Sequence, residues 1–127
     1  MEGLGGSLER AIMDVLWAEP GPLRVRGLLA RLNERQPKPL AYNTVQTVAE
    51  RLARKNMLEK IPDGQAFRYG PTRTREEYVA EVMIDALTGA GSDHGAVLAR
   101  FAEGVPPEDA RRLLEVLRRR AAGEPGS

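Results

Sequence analysis

A chain of 127 residues has room for one ordinary domain, or for a compact module of about 70 residues with a dependent helical extension, and is short for an enzyme built around a large pocket. Its composition, 42% apolar and 29% charged with no long apolar run and no basic, apolar, small-residue leader at Met1, predicts a soluble cytoplasmic protein without membrane insertion. It has no cysteine and one histidine, His94, which leaves no disulfide, thiolate metal site or cysteine nucleophile and argues against a Ser-His-Asp system; no catalytic residue, metal or cofactor is expected.

Apolar residues at helical spacing recur along the first half, with punctuation between them. Leu8, Ala11, Ile12, Val15 and Leu16 form one stripe, with Ser7 as its N-cap and Pro20-Gly21-Pro22 as its end. Val25, Leu28, Leu29 and Leu32 form a second, closed by Pro37 and Pro39, and Val45, Val48, Ala49 and Leu52 form a third. Each stripe covers about a third of its helix, so three short helices can share one core while their other faces stay in water.

After Lys55 the pattern becomes extended: Met57 to Ile61, the turn Pro62-Asp63-Gly64-Gln65, then Ala66 to Tyr69. Asp-Gly between apolar runs signals a hairpin, because Gly accepts the positive φ that such turns need. Phe67 and Tyr69 share a face at period two and are expected, like Trp17, to cover the core. Three helices followed by a hairpin is the order of a winged helix, closed by Gly70-Pro71.

Thr74-Arg75-Glu76-Glu77 is a capping box for a fourth helix, from about Arg75 to Leu87. Gly89-Ala90-Gly91 breaks it. A fifth helix follows Ser92-Asp93, and a sixth begins at Pro107, a residue suited to a first helical turn. The fold class is therefore mainly α with a small β-hairpin wing: a winged helix-turn-helix over residues 1–72, a helical dimerisation segment over 73–122, and a disordered tail over 123–127. The Gly3 to Gly6 stretch reads as a flexible start. His94 reads as an exposed first-turn residue and not as a ligand.

Residues 1–72 carry 11 Lys/Arg against 8 Asp/Glu, whereas 73–127 carry 8 against 10, so the positive field lies on the winged half. In a winged helix the third helix enters the major groove. With Val45, Val48 and Leu52 turned inward, Asn43, Thr44, Gln46, Thr47 and Arg51 are left outward or lateral, with Tyr42 beside them. Asn and Gln can pair with adenine, Thr can set its methyl against thymine, and Arg can reach guanine or phosphate. Arg24, Arg26, Lys38, Arg54, Lys55, Lys60 and Arg68 surround this face as candidate phosphate contacts, Arg24 and Arg26 foremost because they open the second helix.

The helical extension exposes more apolar surface than one neighbouring helix could cover, and a second copy of the chain is the expected cover. Val79, Val82, Met83 and Leu87 of the fourth helix, Val97, Leu98 and Phe101 of the fifth, and Leu113, Leu114 and Leu117 of the sixth are the candidate dimerisation residues.

Leu8 to Trp17, Val25-Arg26, Ala41-Tyr42-Asn43-Thr44-Val45-Gln46-Thr47-Val48, Arg51 to Lys55 and Gly64 to Tyr69 together resemble the penicillinase repressor (BlaI/MecI/CopY) family, in particular its actinobacterial BlaI-like members. The resemblance runs from about Leu4 to Leu117, with Tyr-x-Thr-Val-x-Thr its most specific part. It implies a homodimer on palindromic double-stranded operators with TACA/TGTA half-sites, repressing β-lactamase or other genes. It also implies release by proteolysis in the C-terminal region by a membrane sensor-protease. The family's Asn-Phe cleavage position falls on Arg100-Phe101, where Phe is kept and Asn is not. The C-terminal cysteines of copper-responsive members are absent. The alternative from another class is a protein-interaction module using the same exposed faces, which salt-insensitive binding would reveal.

Overall fold

The computed structural model describes residues 6–91 and 93–123, which form two compact units, one ending at Val82 and the other starting at Met83. The elements in chain order are α1 (Ser7–Ala18), β1 (Leu23–Arg24), α2 (Val25–Asn33), α3 (Tyr42–Arg54), β2 (Leu58–Asp63), β3 (Ala66–Pro71), α4 (Arg75–Thr88), α5 (His94–Gly104) and α6 (Pro107–Ala121). Of the glycine-rich start and the tail, only Gly6 and Gly123 fall among the described residues, and Ser92 also lies outside them.

The first unit is built on the three apolar stripes. Ile12, Met13 and Leu16 of α1, Leu28 and Leu32 of α2, and Val45, Ala49 and Leu52 of α3 are nearly inaccessible to water and close on one another with Leu58 and Tyr69 of the sheet. Each large apolar side chain so buried contributes roughly 1.5 to 3 kcal/mol. Gly6, not Ser7, is the N-cap of α1, and its carbonyl accepts from Arg10 N at 3.1 Å, so Ser7 is already inside the helix.

The hairpin is one strand larger than the sequence suggests. β1 pairs antiparallel with β3, Leu23 opposite Tyr69 and Arg24 opposite Arg68, giving the order β1-β3-β2. Two residues are too few to show a period of two, so β1 exists only because β3 offers it an edge. The β2–β3 turn has positive φ at Gly64 alone, +67°, which fits a type II′ hairpin with glycine at its first central position. Gly70 lies so close to Pro22 that an added Cβ would stand 3.2 Å from the proline Cβ, and this holds the loop after α1 against the sheet.

One expected core residue is not in the core. Tyr69 is buried, but Phe67, on the same strand face, is 42% exposed. It lies opposite Pro62, two positions nearer the turn than Tyr69, where the strand borders an open groove beside α3. The Lys60 ammonium sits 4.4 Å from the centre of its ring instead.

Caps place the ends of α3 and α4. The Asn33 side chain accepts from Leu40 N at 2.8 Å and ties down the loop that leads into α3. At the other end Asn56 takes a left-handed conformation (φ +64°), with Met57 N donating to Leu52 O and Asn56 N to Ala53 O, the pair of bonds of a Schellman motif. The capping box of α4 forms as read: Glu77 N donates to Thr74 Oγ1 at 3.0 Å, and Thr74 N donates to Glu77 Oε1 at 2.8 Å. The first turns of α4 pack on α1. Trp17 Nε1 donates to Arg73 O, the Trp17 and Tyr78 rings lie 5.5 Å apart, and Arg75 reaches Asp14 at 3.0 Å.

In the second unit Asp93 caps α5, accepting from Ala96 N, and Pro107 opens α6. Neither helix buries a single residue. Among the described residues no helix is long and apolar enough to cross a membrane.

Candidate nucleic-acid interface

Helix α3 divides its residues by period alone. Val45, Val48, Ala49 and Leu52 anchor it, and the 3.6-residue repeat then forces Tyr42, Asn43, Thr44, Thr47 and Arg51 to the surface, with Gln46 partly covered. The exposed polar positions therefore concentrate in the first two turns, where a helix inserted in a groove about 12 Å wide meets base edges. A groove of about 450 Å³ lies between these turns and the wing, lined by Arg24, Arg26, Tyr42, Gln46, Glu50, Phe67 and Tyr69 among others. At its floor, burial pushes the Tyr69 hydroxyl above the ordinary phenol range, helped by the negative charge of Glu50 and by Tyr42.

The basic residues around this face are not equivalent. Arg26, Lys38 and Arg54 are exposed. Arg24 and Arg68 stand directly opposite each other across β1 and β3, and both donate through Nε to the same oxygen, Oδ2 of Asp63, at 2.8 and 2.7 Å. The Arg24 guanidinium and then that of Arg68 hold the Asp63 carboxyl below the usual carboxylate range. Lys60 lies 4.0 Å from Glu50 and over the Phe67 ring.

Lys55 has a partner inside the fold. Its Nζ lies 2.9 Å from Oε1 of Glu9, a carboxylate only 2% exposed, and Arg51 Nη1 lies 3.7 Å from Oε2 of the same group. Glu9 thereby ties the C-terminal turns of the candidate reading helix to α1. Two acidic residues of consequence, Glu9 and Asp63, thus join the site without being candidates from the sequence. Asp63 was absorbed into the turn signal. Glu9 could have been found, since it shares the apolar stripe of Ile12, Met13 and Leu16 at spacings of three, four and seven.

The candidate dimerisation residues are described within each unit separately. Val79 is about half exposed and Val82 partly covered in the first unit. In the second, Leu87 is partly covered, while Met83, Val97, Leu98, Phe101, Leu113, Leu114 and Leu117 are each exposed by two fifths or more, apart from Val97 at 39%. Arg100 and Phe101 lie on the exposed surface of α5.

Comparison with known proteins gives concordant matches. The family model described as penicillinase repressor matches residues 5–119. Proteins from two strains of Mycobacterium tuberculosis, each named transcriptional regulator BlaI, are 44% identical over 121 residues, covering 93% of this chain and 86% of theirs. Among solved structures, the DNA-binding domain of the repressor BlaI superposes with a TM-score of 0.50 at 22% identity, over 61% of this chain and 94% of that one. The RosR protein of H. salinarum gives 0.52 at 18% identity, over 94% and 96%. At those identities the two structures speak for the fold, a winged helix.

Proposed function

The chain belongs to the penicillinase repressor family, and from that premise we propose that it represses transcription as a homodimer seated on palindromic operator DNA. It is a DNA-binding transcriptional repressor and not an enzyme. The observation that carries the finer assignment is the α3 surface: Tyr42, Asn43, Thr44 and Thr47 stand in water on a helix whose opposite side is locked into the core. Thr44 and Thr47 read bases, with Tyr42, Asn43, Gln46 and Arg51 beside them. Arg24, Arg26, Lys38, Arg54, Lys60 and Arg68 meet phosphates, while Lys55 divides its charge between DNA and Glu9.

Dimerisation is supported by the second unit. Helices that leave Leu98, Phe101, Leu114 and Leu117 close to half exposed have no core within one chain, and a second copy supplies the missing layer at no cost in specificity. By resemblance to the family, we further propose half-sites of the TACA/TGTA type, control of β-lactamase or related genes in the cytoplasm, and release by a membrane sensor-protease cutting at Arg100-Phe101.

The test is a titration against two duplexes, one carrying a TACA/TGTA palindrome and one of random sequence. Thr44→Ala and Thr47→Ala are expected to weaken palindrome binding by about 1 to 3 kcal/mol each while sparing random DNA. Arg26→Ala and Lys60→Ala should weaken both and flatten the salt dependence. If the two groups of variants behave alike, α3 is not the reading element. Binding that ignores salt would point to a protein partner instead.

A further inference from the structure

Two of the cations assigned to DNA phosphates are already engaged by a phosphate-like oxygen. Arg24 and Arg68 face each other in the β1–β3 register, a placement of like charges that is unfavourable on its own. Asp63 Oδ2 lies between them and accepts from both Nε atoms, at 2.8 and 2.7 Å, while Arg24 Nη2 also donates to the Asp63 carbonyl at 3.3 Å and Arg68 Nη1 to the Pro22 carbonyl at 3.4 Å. Two guanidinium groups converging on a single anionic oxygen is the arrangement that recognises a phosphate. The side chains are about half exposed, so DNA can reach the pair, and the carboxylate is carried by the hairpin turn itself.

We propose that Asp63 is an internal phosphate surrogate that sets how tightly the wing grips the DNA backbone: it occupies the Arg24–Arg68 pair in the free protein and withholds that charge from phosphates. This rests on the assignment of Arg24 and Arg68 to phosphates made above. Non-specific affinity is almost wholly electrostatic and rises with each phosphate neutralised, whereas operator affinity also draws on base contacts. A cluster of two arginines and one carboxylate carries one net positive charge. Without the carboxylate it carries two. Asp63 therefore weakens binding to the backbone of any duplex, and random DNA, which offers no base contacts to the reading helix, shows that effect alone.

The experiment compares the full-length protein with Asp63→Asn, Asp63→Ser, Arg24→Ala and Arg68→Ala variants on a random-sequence duplex across a salt series, and then on the TACA/TGTA duplex. Asp63→Asn and Asp63→Ser are expected to bind random DNA about three- to tenfold more tightly near ~0.1 M salt, with a log–log salt slope steeper by about 0.9, one added phosphate contact. Palindrome binding should tighten by a similar factor, and adding Arg24→Ala with Arg68→Ala to Asp63→Asn should abolish the gain on both duplexes. Random-DNA affinity that stays level or drops in both Asp63 variants overturns the proposal, as does loss of the wing in both by circular dichroism, which would make Asp63 a structural brace. If Arg24→Ala and Arg68→Ala leave the salt slope of the parent unchanged, the phosphate assignment is what fails. If they flatten it while the Asp63 variants bind no tighter, the surrogate role fails alone.

Discussion

A carboxylate such as Glu9, almost fully buried between α1 and α3, is costly to bury unless it is matched by charge. Lys55 at 2.9 Å and Arg51 at 3.7 Å supply the match, and both still reach solvent. Removing the carboxylate lets Lys55 relax toward water, so Glu9→Ala should cost about 1 to 3 kcal/mol, read as a lower denaturant midpoint, and should loosen the C-terminal end of α3 in hydrogen exchange. An unchanged midpoint would mean that the pair contributes nothing net. Asp63 makes a second, weaker stability statement, because its surroundings are wet and exposed pairs are worth little. Its carboxyl titrates lower in the folded chain than the usual value of about 3.9, owing to Arg24 and then Arg68, so the folded state favours the ionised form. That stabilisation is complete above the unfolded value and disappears as pH falls through the lower folded one. The melting-temperature advantage of the parent over Asp63→Asn should therefore shrink as pH drops below about 4.

Among the elements, α3 and α4 show how local chemistry sets boundaries that function depends on. The apolar period orients α3, the Asn33 side chain holds the loop that leads into it, and the left-handed Asn56 marks its end. Helix α4 starts where Thr74 and Glu77 satisfy each other's amides. Thr74→Ala should lower stability by about 1 kcal/mol, since one cap acceptor is lost and the start of α4 frays away from Trp17 and Tyr78. Fluorescence of Trp17, the sole tryptophan, would report that fraying before global unfolding. The wing is set by a different device. Pairing with β3 recruits Leu23-Arg24 as a strand, and the resulting register is what brings Arg24 to Arg68.

At the scale of the whole molecule, the first unit closes a core within itself and extends to Val82, past the boundary at Thr72 that the Gly-Pro punctuation suggests. Residues 73–82 contribute the Trp17 Nε1 to Arg73 bond, the Arg75–Asp14 pair and the partly buried Tyr78. A chain cut after Val82 should therefore melt higher than one cut after Thr72, by about 1 to 2 kcal/mol of stability. Both should sediment as monomers while the full chain sediments as a dimer, because the apolar residues left uncovered in the second unit are absent from both. A dimer of residues 1–82 would move the interface into the winged unit.

Period, punctuation and caps determined the helices, the hairpin, the winged-helix class and the outward face of α3, because each depends on residues a few positions apart. The core stripes of α1, α2 and α3, the capping box at Thr74 and the proline at the head of α6 were legible for that reason. What only the tertiary structure decided joins distant positions: β1, which exists by pairing with β3; Phe67, left partly in water beside the groove next to α3; the Glu9–Lys55 tie across 46 residues; and Asp63 between Arg24 and Arg68. A charge carries no periodic mark of its partner. Its role emerges only when the packing of apolar faces has brought the opposite charge within about 4 Å, where Coulomb attraction offsets the loss of water.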